Sequence, residues 1–341
     1  MPGRALAALV LTLAFAAPAA PAAAARPLEW PLTALRAPLA WQQSSGSGVV
    51  VAVLDTGVQL DRAELRGAIW TNPGEVPANG RDDDGDGIAD DVHGADFVNG
   101  DATPDDDNGH GTHVAGIIAG RGLVRGLAPG ATILPVKVLG AGKAGNAHWL
   151  AQGIAYAVAH GARILNVSVN GDSASSELEG AIRAAQDAGA VIVASAGNDG
   201  RDLGARPSYP VSYGEPAVIG VGATDLSGHR AAFSNYGPGV DVTAPGADIV
   251  SLGVRGLAYR SGTSMAAAYV SATLALEQAA APSLPAGLLR DALLGAMPAG
   301  GALDSAAAVE AVAGAPAPAK RKPRRHHRRR HRTTRHHTAR R

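Results

Sequence analysis

Cysteine is absent from the 341 residues, which excludes a disulfide-stapled scaffold. Net charge is absent too, but only as a sum, with 30 Lys+Arg against 30 Asp+Glu. Residues 320–341 hold 12 basic side chains and no acid, so the other 319 residues hold 18 basic and 30 acidic ones, a balance of −12. A basic nucleic-acid-binding body is thereby excluded, because the positive charge is confined to one tail. No run beyond residue 25 is apolar and long enough to span a bilayer, which takes about 20 residues. What is present is 46% hydrophobic and 18% charged. Such a chain is ordered by composition and long enough to bury one large core or two modest ones.

The two ends differ from the body. Residues 1–25 read as a cleaved secretory signal: Arg4 supplies the positive start, Ala5 to Ala17 an apolar core, and Ala23-Ala24-Ala25 a small-residue cleavage site. Pro18 and Pro21 interrupt the run before it reaches spanning length. The mature protein is expected to be soluble and outside the cytoplasm, secreted or held in a periplasm or at a cell surface. At the other end, Ala315-Pro316-Ala317-Pro318-Ala319 is a linker leading from Gly314 into an Arg/His-rich run. So dense a block of like charge is expected to be disordered. It reads either as a solvated tail without a partner or as attachment of residues 320–341 to an anionic surface or polyanion by counterion release.

Between the ends, short apolar runs alternate with helical patterns. Residues 48–54 (GVVVAVL) form a continuous β-branched run, as a strand covered on both faces requires. Similar runs fall at 133–138, 164–169, 191–194 and 218–221, with helix-like stretches at 111–120, 147–160, 175–188 and 265–280. Strand and helix alternating over this length predict an α/β fold with a parallel sheet and right-handed crossovers. Chemistry in such sheets collects beyond the carboxyl ends of the strands.

Asp55 ends the first of these runs, in Val53-Leu54-Asp55-Thr56-Gly57. Alone, it caps a turn or orients a partner. His110 follows a Gly-containing junction, where Asp107 or Asn108 is the expected helix cap. Ser264, in Ser261-Gly262-Thr263-Ser264-Met265, opens a helix, so its N–H and hydroxyl emerge at the positive helix end. Together the three make an orienting carboxylate, a general base and a nucleophile. Asn198, after another buried run, can offer a side-chain N–H beside the N–H of Ser264 as an oxyanion donor.

The segments 53–58, 110–116, 194–200 and 262–267 closely resemble the subtilisin-like serine proteases (subtilases, peptidase S8), over a stretch from residue 41 to about 312. The resemblance implies a three-layer, doubly wound, mostly parallel α/β sheet with helices on both faces, occupying residues 26–313. It implies Asp55 as orienter, His110 as base, Ser264 as nucleophile and Asn198 as oxyanion donor. His113, three residues past His110, is expected to be a packed helix histidine. Metalloprotease helices space their pair by four with a Glu between. By the same resemblance, Lys143, Ala144 and Gly145 match one edge that pairs with substrate backbone, and Ser168, Val169, Asn170 and Gly171 the opposite edge. Backbone pairing of this kind predicts broad specificity. Ser208 matches the base of the first specificity pocket. Two positions depart from the family pattern. Asn170 replaces a usual Gly and is expected to narrow the pocket, and Ala268 replaces a usual Pro and is expected to straighten the helix that carries Ser264.

Eleven Asp fall between Asp82 and Asp107. In the run 82–91, oxygen ligands alternate as in a calcium loop, with Asp82, Asp84, Asp86 and the Ile88 carbonyl as expected ligands. His93 stands where the closing Glu is usual, so Asp90 or Asp91 is expected to close the site. Calcium is expected to be structural, with no organic cofactor.

The reading is a secreted, calcium-stabilised, monomeric serine endopeptidase that cleaves proteins or peptides through an acyl-enzyme. Its activity falls on the acid side as His110 takes up a proton. Two alternatives share these residues: a processing protease or transpeptidase with one physiological substrate, and a catalytically silent exported module attached by its tail. Between Ala25 and Gly48 the chain is too short for a folding propeptide.

Overall fold

A computed structural model describes residues 29–298 and 301–314. The signal-like leader, the Pro/Ala linker and the basic tail lie outside the described residues, as do the expectations attached to them. Two short helices, α1 (Trp30–Ala34) and α2 (Ala37–Ala40), precede β1 (Val50–Asp55) and a two-residue strand β2 (Ala95–Asp96). Then come α3 (His110–Ala119), β3 (Thr132–Lys137), α4 (Ala147–Ala159), β4 (Ile164–Val167), α5 (Ser176–Asp187), β5 (Val191–Ser195) and β6 (Val218–Thr224). The chain continues through β7 (Val242–Pro245), β8 (Ile249–Leu252), β9 (Leu257–Arg260), α6 (Thr263–Ala280), α7 (Ala286–Gly295) and α8 (Ser305–Val312).

Seven strands form one sheet in the order β2-β3-β1-β4-β5-β6-β7, and every neighbouring pair is parallel. Parallel pairing needs crossovers that cover both faces, and the central strands are accordingly apolar on both. Alternate β1 side chains enter different cores. Val51 and Val53 pack with residues of α3, α6, α7 and α8 on one face. Ala52 and Leu54 pack with residues of α4 and α5 on the other. Helices on both faces of one mostly parallel sheet make the α/β fold that the alternation predicted, in the three layers that the resemblance implied.

Helix α6 is apolar nearly all round and buried from Thr263 to Glu277, as a helix through the middle of a core must be. It runs without interruption past Ala268. Strands β8 and β9 form a separate antiparallel hairpin immediately before α6. The carboxyl ends of β1, β3, β4 and β5 open on one edge of the sheet, and the loops beyond them carry the residues considered next.

Candidate active site

Asp55 is the last residue of β1 and is fully buried. Its Oδ1 accepts from the Thr56 N–H at 2.7 Å and from His110 Nδ1 at 2.7 Å. The second bond fixes the imidazole with Nδ1 protonated, leaving Nε2 as the acceptor nitrogen. His110 itself is the first residue of α3 and only 4% exposed.

The cap of α3 differs from expectation. Neither Asp107 nor Asn108 caps it: Gly109 is the N-cap residue, and Asp106, three positions before it, supplies the carboxylate that meets the first N–H groups. One Asp106 oxygen accepts from the N–H groups of Asn108 and Gly109 and from the Thr56 hydroxyl, and the other from the Thr112 N–H and hydroxyl. Asp107 instead pairs with Lys137 at 2.8 Å, and the Asn108 side-chain N–H donates to the Ala141 carbonyl. The Thr56 hydroxyl also accepts from the Gly111 N–H at 3.0 Å, tying the end of β1 to the start of α3. Gly111 is required there, since a Cβ would lie 2.0 Å from the Gly57 carbonyl oxygen.

Lys137, at the end of β3, was not singled out by sequence reasoning. It is 1% exposed, and its ammonium donates to the Thr56 and Leu139 carbonyls at 2.6 and 3.1 Å as well as to Asp107. It fastens the loop after β1 to the loop that delivers His110. His113 is the packed histidine expected. Fully buried, it donates from Nε2 toward the Ile249 and Ala258 carbonyls of the β8–β9 hairpin. Burial pushes its pKa down to about 4, so it stays neutral.

Ser264 is the second residue of α6, so its N–H has no intrahelical acceptor. Asn198, in the loop after β5, accepts at Oδ1 from the Thr263 N–H at 2.8 Å and the Thr263 hydroxyl at 3.0 Å. These bonds orient the side-chain amide and leave its NH2 for other acceptors. Asn235, again unmarked in the sequence, holds that loop: its Nδ2 donates to the Ala196 carbonyl and its Oδ1 accepts from the Asp199 and Arg201 N–H groups. His110, Ser264 and Asn198 line one cleft of about 140 Å³ together with Lys143 and Arg260.

A neighbouring cleft of about 340 Å³ is lined by Lys143, Gly145, Val169, Asn170, Gly171 and Tyr209, among others. Thus most of the two expected backbone edges face one channel. The 143–145 edge leaves a tight turn closed by the Lys143 N–H donating to the Gly140 carbonyl at 2.8 Å and the Gly140 N–H to the Ala144 carbonyl at 2.9 Å. Asn170 Nδ2 lies 3.4 Å from the Ser208 hydroxyl, so the residue replacing the usual Gly reaches the expected pocket base. Ser208 is fully buried, and the Ser168 hydroxyl donates to the Ser264 carbonyl at 3.4 Å.

The acidic loop gathers carboxylates in two overlapping groups, Asp84 with Asp86 and His160, and Asp84 with Glu75 and Asp91, each within 4.8 Å. Asp84, Asp86 and Asp91 therefore converge as expected. The other two acids of the set point elsewhere: Asp82 accepts from the N–H groups of Gly85, Asp86 and Gly87, and Asp90 from those of Asn79 and Gly80. The Ile88 N–H donates to Asp86. Glu75 and His160 are additions. Glu75 precedes the Asp run in sequence, whereas His160 arrives from the end of α4 and no local pattern marks it. Asp91 is fully buried, accepts from the Tyr156 hydroxyl and from Asn72 Nδ2, and burial raises its pKa. Converging carboxylate oxygens, with Glu75 and Asp91 buried and Asp84 and Asp86 open to solvent, suit a hard cation.

The subtilase family model matches residues 46–316. Thermitase from Thermoactinomyces vulgaris is 38% identical over 247 residues, 71% of this chain and 79% of the relative. Subtilisin Savinase from Lederbergia lenta is 38% identical over 265 residues, 76% of this chain and 87% of the relative. A crystal structure of a cold adapted subtilisin-like serine proteinase superposes with a TM-score of 0.60 at 32% identity, over 73% of this chain and 84% of that one. The four motifs, their meeting at one edge of the sheet and these likenesses agree that the chain belongs to the subtilase family and is a serine-type endopeptidase.

Proposed function

We propose that Asp55, His110, Ser264 and Asn198 carry the peptidase reaction, and that the enzyme is an exported endopeptidase of broad specificity stabilised by calcium. The observation that supports this most directly is the 2.7 Å hydrogen bond from His110 Nδ1 to buried Asp55, with His110 and Ser264 lining the same cleft. His110 Nε2 takes the hydroxyl proton of Ser264 as its oxygen attacks the scissile carbonyl. The oxyanion forms between the NH2 of Asn198 and the N–H of Ser264, at the positive end of α6. His110 then protonates the leaving amine, and water hydrolyses the acyl-enzyme by the same proton route.

Substrate backbone in the channel between residues 143–145 and 168–171 accounts for broad specificity, because main-chain pairing is indifferent to side chains. Glu75, Asp84, Asp86 and Asp91 would hold calcium, which would neutralise carboxylates that otherwise repel one another. Export rests on the sequence of residues 1–25. Among the described residues no helix is long and apolar enough to cross a membrane. The 12 basic residues of 320–341 support attachment to an anionic surface.

Sulfonyl-fluoride labelling and casein hydrolysis test the assignment. The expected result is one adduct on Ser264, lost together with activity in Ser264→Ala. Asn198→Ala is expected to lower kcat by about 10²–10³, the range typical of removing one oxyanion donor in this family. Unchanged kcat in that variant, or an adduct elsewhere, refutes the assignment.

A further inference from the structure

The cleft at the nucleophile carries two positive side chains that the reaction above does not use. Arg260 and Lys143 line it alongside His110 and Ser264. Neither has a carboxylate within 4.0 Å among the described residues, and the remaining residues contain no Asp or Glu. The acids nearest in the fold are already engaged. Asp55 is buried behind His110, Asp106 accepts five bonds at the start of α3, and Asp107 pairs with Lys137.

Arg260 is the last residue of β9 and is half-buried. One of its donors, on Nη2, reaches the Asn108 carbonyl at 3.2 Å, which places the guanidinium against the segment that leads into His110. Its Nε–H is buried without a partner. A buried donor left unpaired on a permanent cation is costly, and a carboxylate that meets the guanidinium from the cleft forms a charge-assisted bond. His110 hands its proton to the leaving amine, so a cation beside His110 lies on the leaving-group side of the scissile bond. Lys143, which lines the same cleft, adds charge of the same sign. Desolvation is the largest cause of its lowered ammonium pKa; the Asp55 carboxylate opposes that shift and the Arg260 charge adds to it.

Resting on the peptidase reading above, we propose that Arg260 determines specificity after the scissile bond, selecting peptides whose leaving segment begins with aspartate or glutamate. Main-chain pairing then holds the acyl side with little regard to sequence, while one guanidinium reads the residue next to the cut.

The test uses the full-length enzyme and fluorogenic peptides identical except for Glu, Gln or Lys immediately after the cleaved bond. Wild type is expected to favour Glu over Gln by about tenfold in kcat/KM, as suits one charge-assisted hydrogen bond. The preference is expected to shrink at high ionic strength. Arg260→Gln brings the ratio to about one, Arg260→Lys retains part of it, and Arg260→Glu turns the preference toward Lys. The ratio is the readout, so a general loss of activity or of folded protein does not imitate the result. A wild-type ratio of one, or an undiminished ratio in Arg260→Gln, overturns the inference while leaving the peptidase reading intact. If no peptide is cleaved and Ser264 takes no label, the peptidase reading fails and the inference falls with it.

Discussion

At the scale of single residues, two buried ionisable groups outside the site set opposite pH trends. Glu277, in α6, is fully buried and neither of its carboxyl oxygens has a partner. Burial raises its pKa well above the ordinary value. The unfolded chain releases that proton near pH ~4.3, so above this pH the folded state binds more protons and loses stability as pH rises toward the folded pKa. An unsatisfied buried polar group costs about 1–3 kcal/mol, and Glu277→Leu is expected to raise Tm, more at pH 9 than at pH 5. A lower Tm at both pH values would falsify this account. His113 acts in the other direction. With its pKa pushed down to about 4 and an unfolded value near 6.5, it stays neutral while the unfolded chain gains a proton. Stability is therefore lost as pH falls through that window, by about 3 kcal/mol in all. His113→Gln is expected to flatten the acid limb of a denaturation profile between pH 6.5 and 4, read by circular dichroism, even if it is less stable at neutral pH.

At the scale of elements, the catalytic geometry depends on how closely α3 sits against the end of β1. Gly111→Ala must displace the Gly57 carbonyl or the helix, since the added Cβ has only 2.0 Å. Overpacking of this sort costs about 1–3 kcal/mol, and a small shift of His110 away from Asp55 costs rate. Loss of both Tm and kcat is expected, with KM little changed, and wild-type turnover in this variant would mean the contact does not position the base. Elements such as β1, β3 and α6 were legible in the sequence because they are buried nearly all round, leaving unbroken apolar runs, and α4 because its one buried face repeats at helical spacing. Asp55 and Asn198 were legible for a related reason, since each stands at or just past the end of a buried strand at a glycine-containing junction, whereas His110 and Ser264 stood out as glycine-flanked residues that open helices. The β8–β9 hairpin was not, because β9 alternates exposed and half-buried side chains, Leu257, Ala258, Tyr259 and Arg260, without an apolar signature. Arg260 was overlooked for the same reason. Lys137 and Asn235 act through bonds to main-chain atoms far along the chain, and nothing local to them foretells those partners. Asp106 takes over the role expected of Asp107 or Asn108: its carboxylate accepts five bonds at once, while Asp107 pairs with Lys137 and Asn108 donates to the Ala141 carbonyl.

At the scale of the molecule, a chain without disulfides carries a dense acidic segment wrapped against α4, and its stability is expected to depend on what neutralises it. Residues 82–107 contain eleven aspartates, and the converging set draws Glu75 from upstream and His160 from the end of α4. A cation held there ties the loop to the helix layer beside β1, and it binds only once these distant residues are together. Binding to the folded state alone stabilises by RT ln(1 + [L]/Kd), about 2.7 kcal/mol at a hundredfold excess over Kd. Chelation is therefore expected to lower Tm and to open the loop to proteolytic nicking, and calcium is expected to restore both. Asp84→Asn and Asp91→Asn each remove a converging oxygen charge and are expected to weaken the calcium dependence of Tm. Asp90→Asn, whose carboxylate points at the Asn79 and Gly80 amides, is expected to preserve it. Differential scanning calorimetry across a calcium titration separates these outcomes. Equal calcium dependence in all three variants would place the cation elsewhere, and a Tm indifferent to chelation in wild type would leave the acidic segment without a stabilising role.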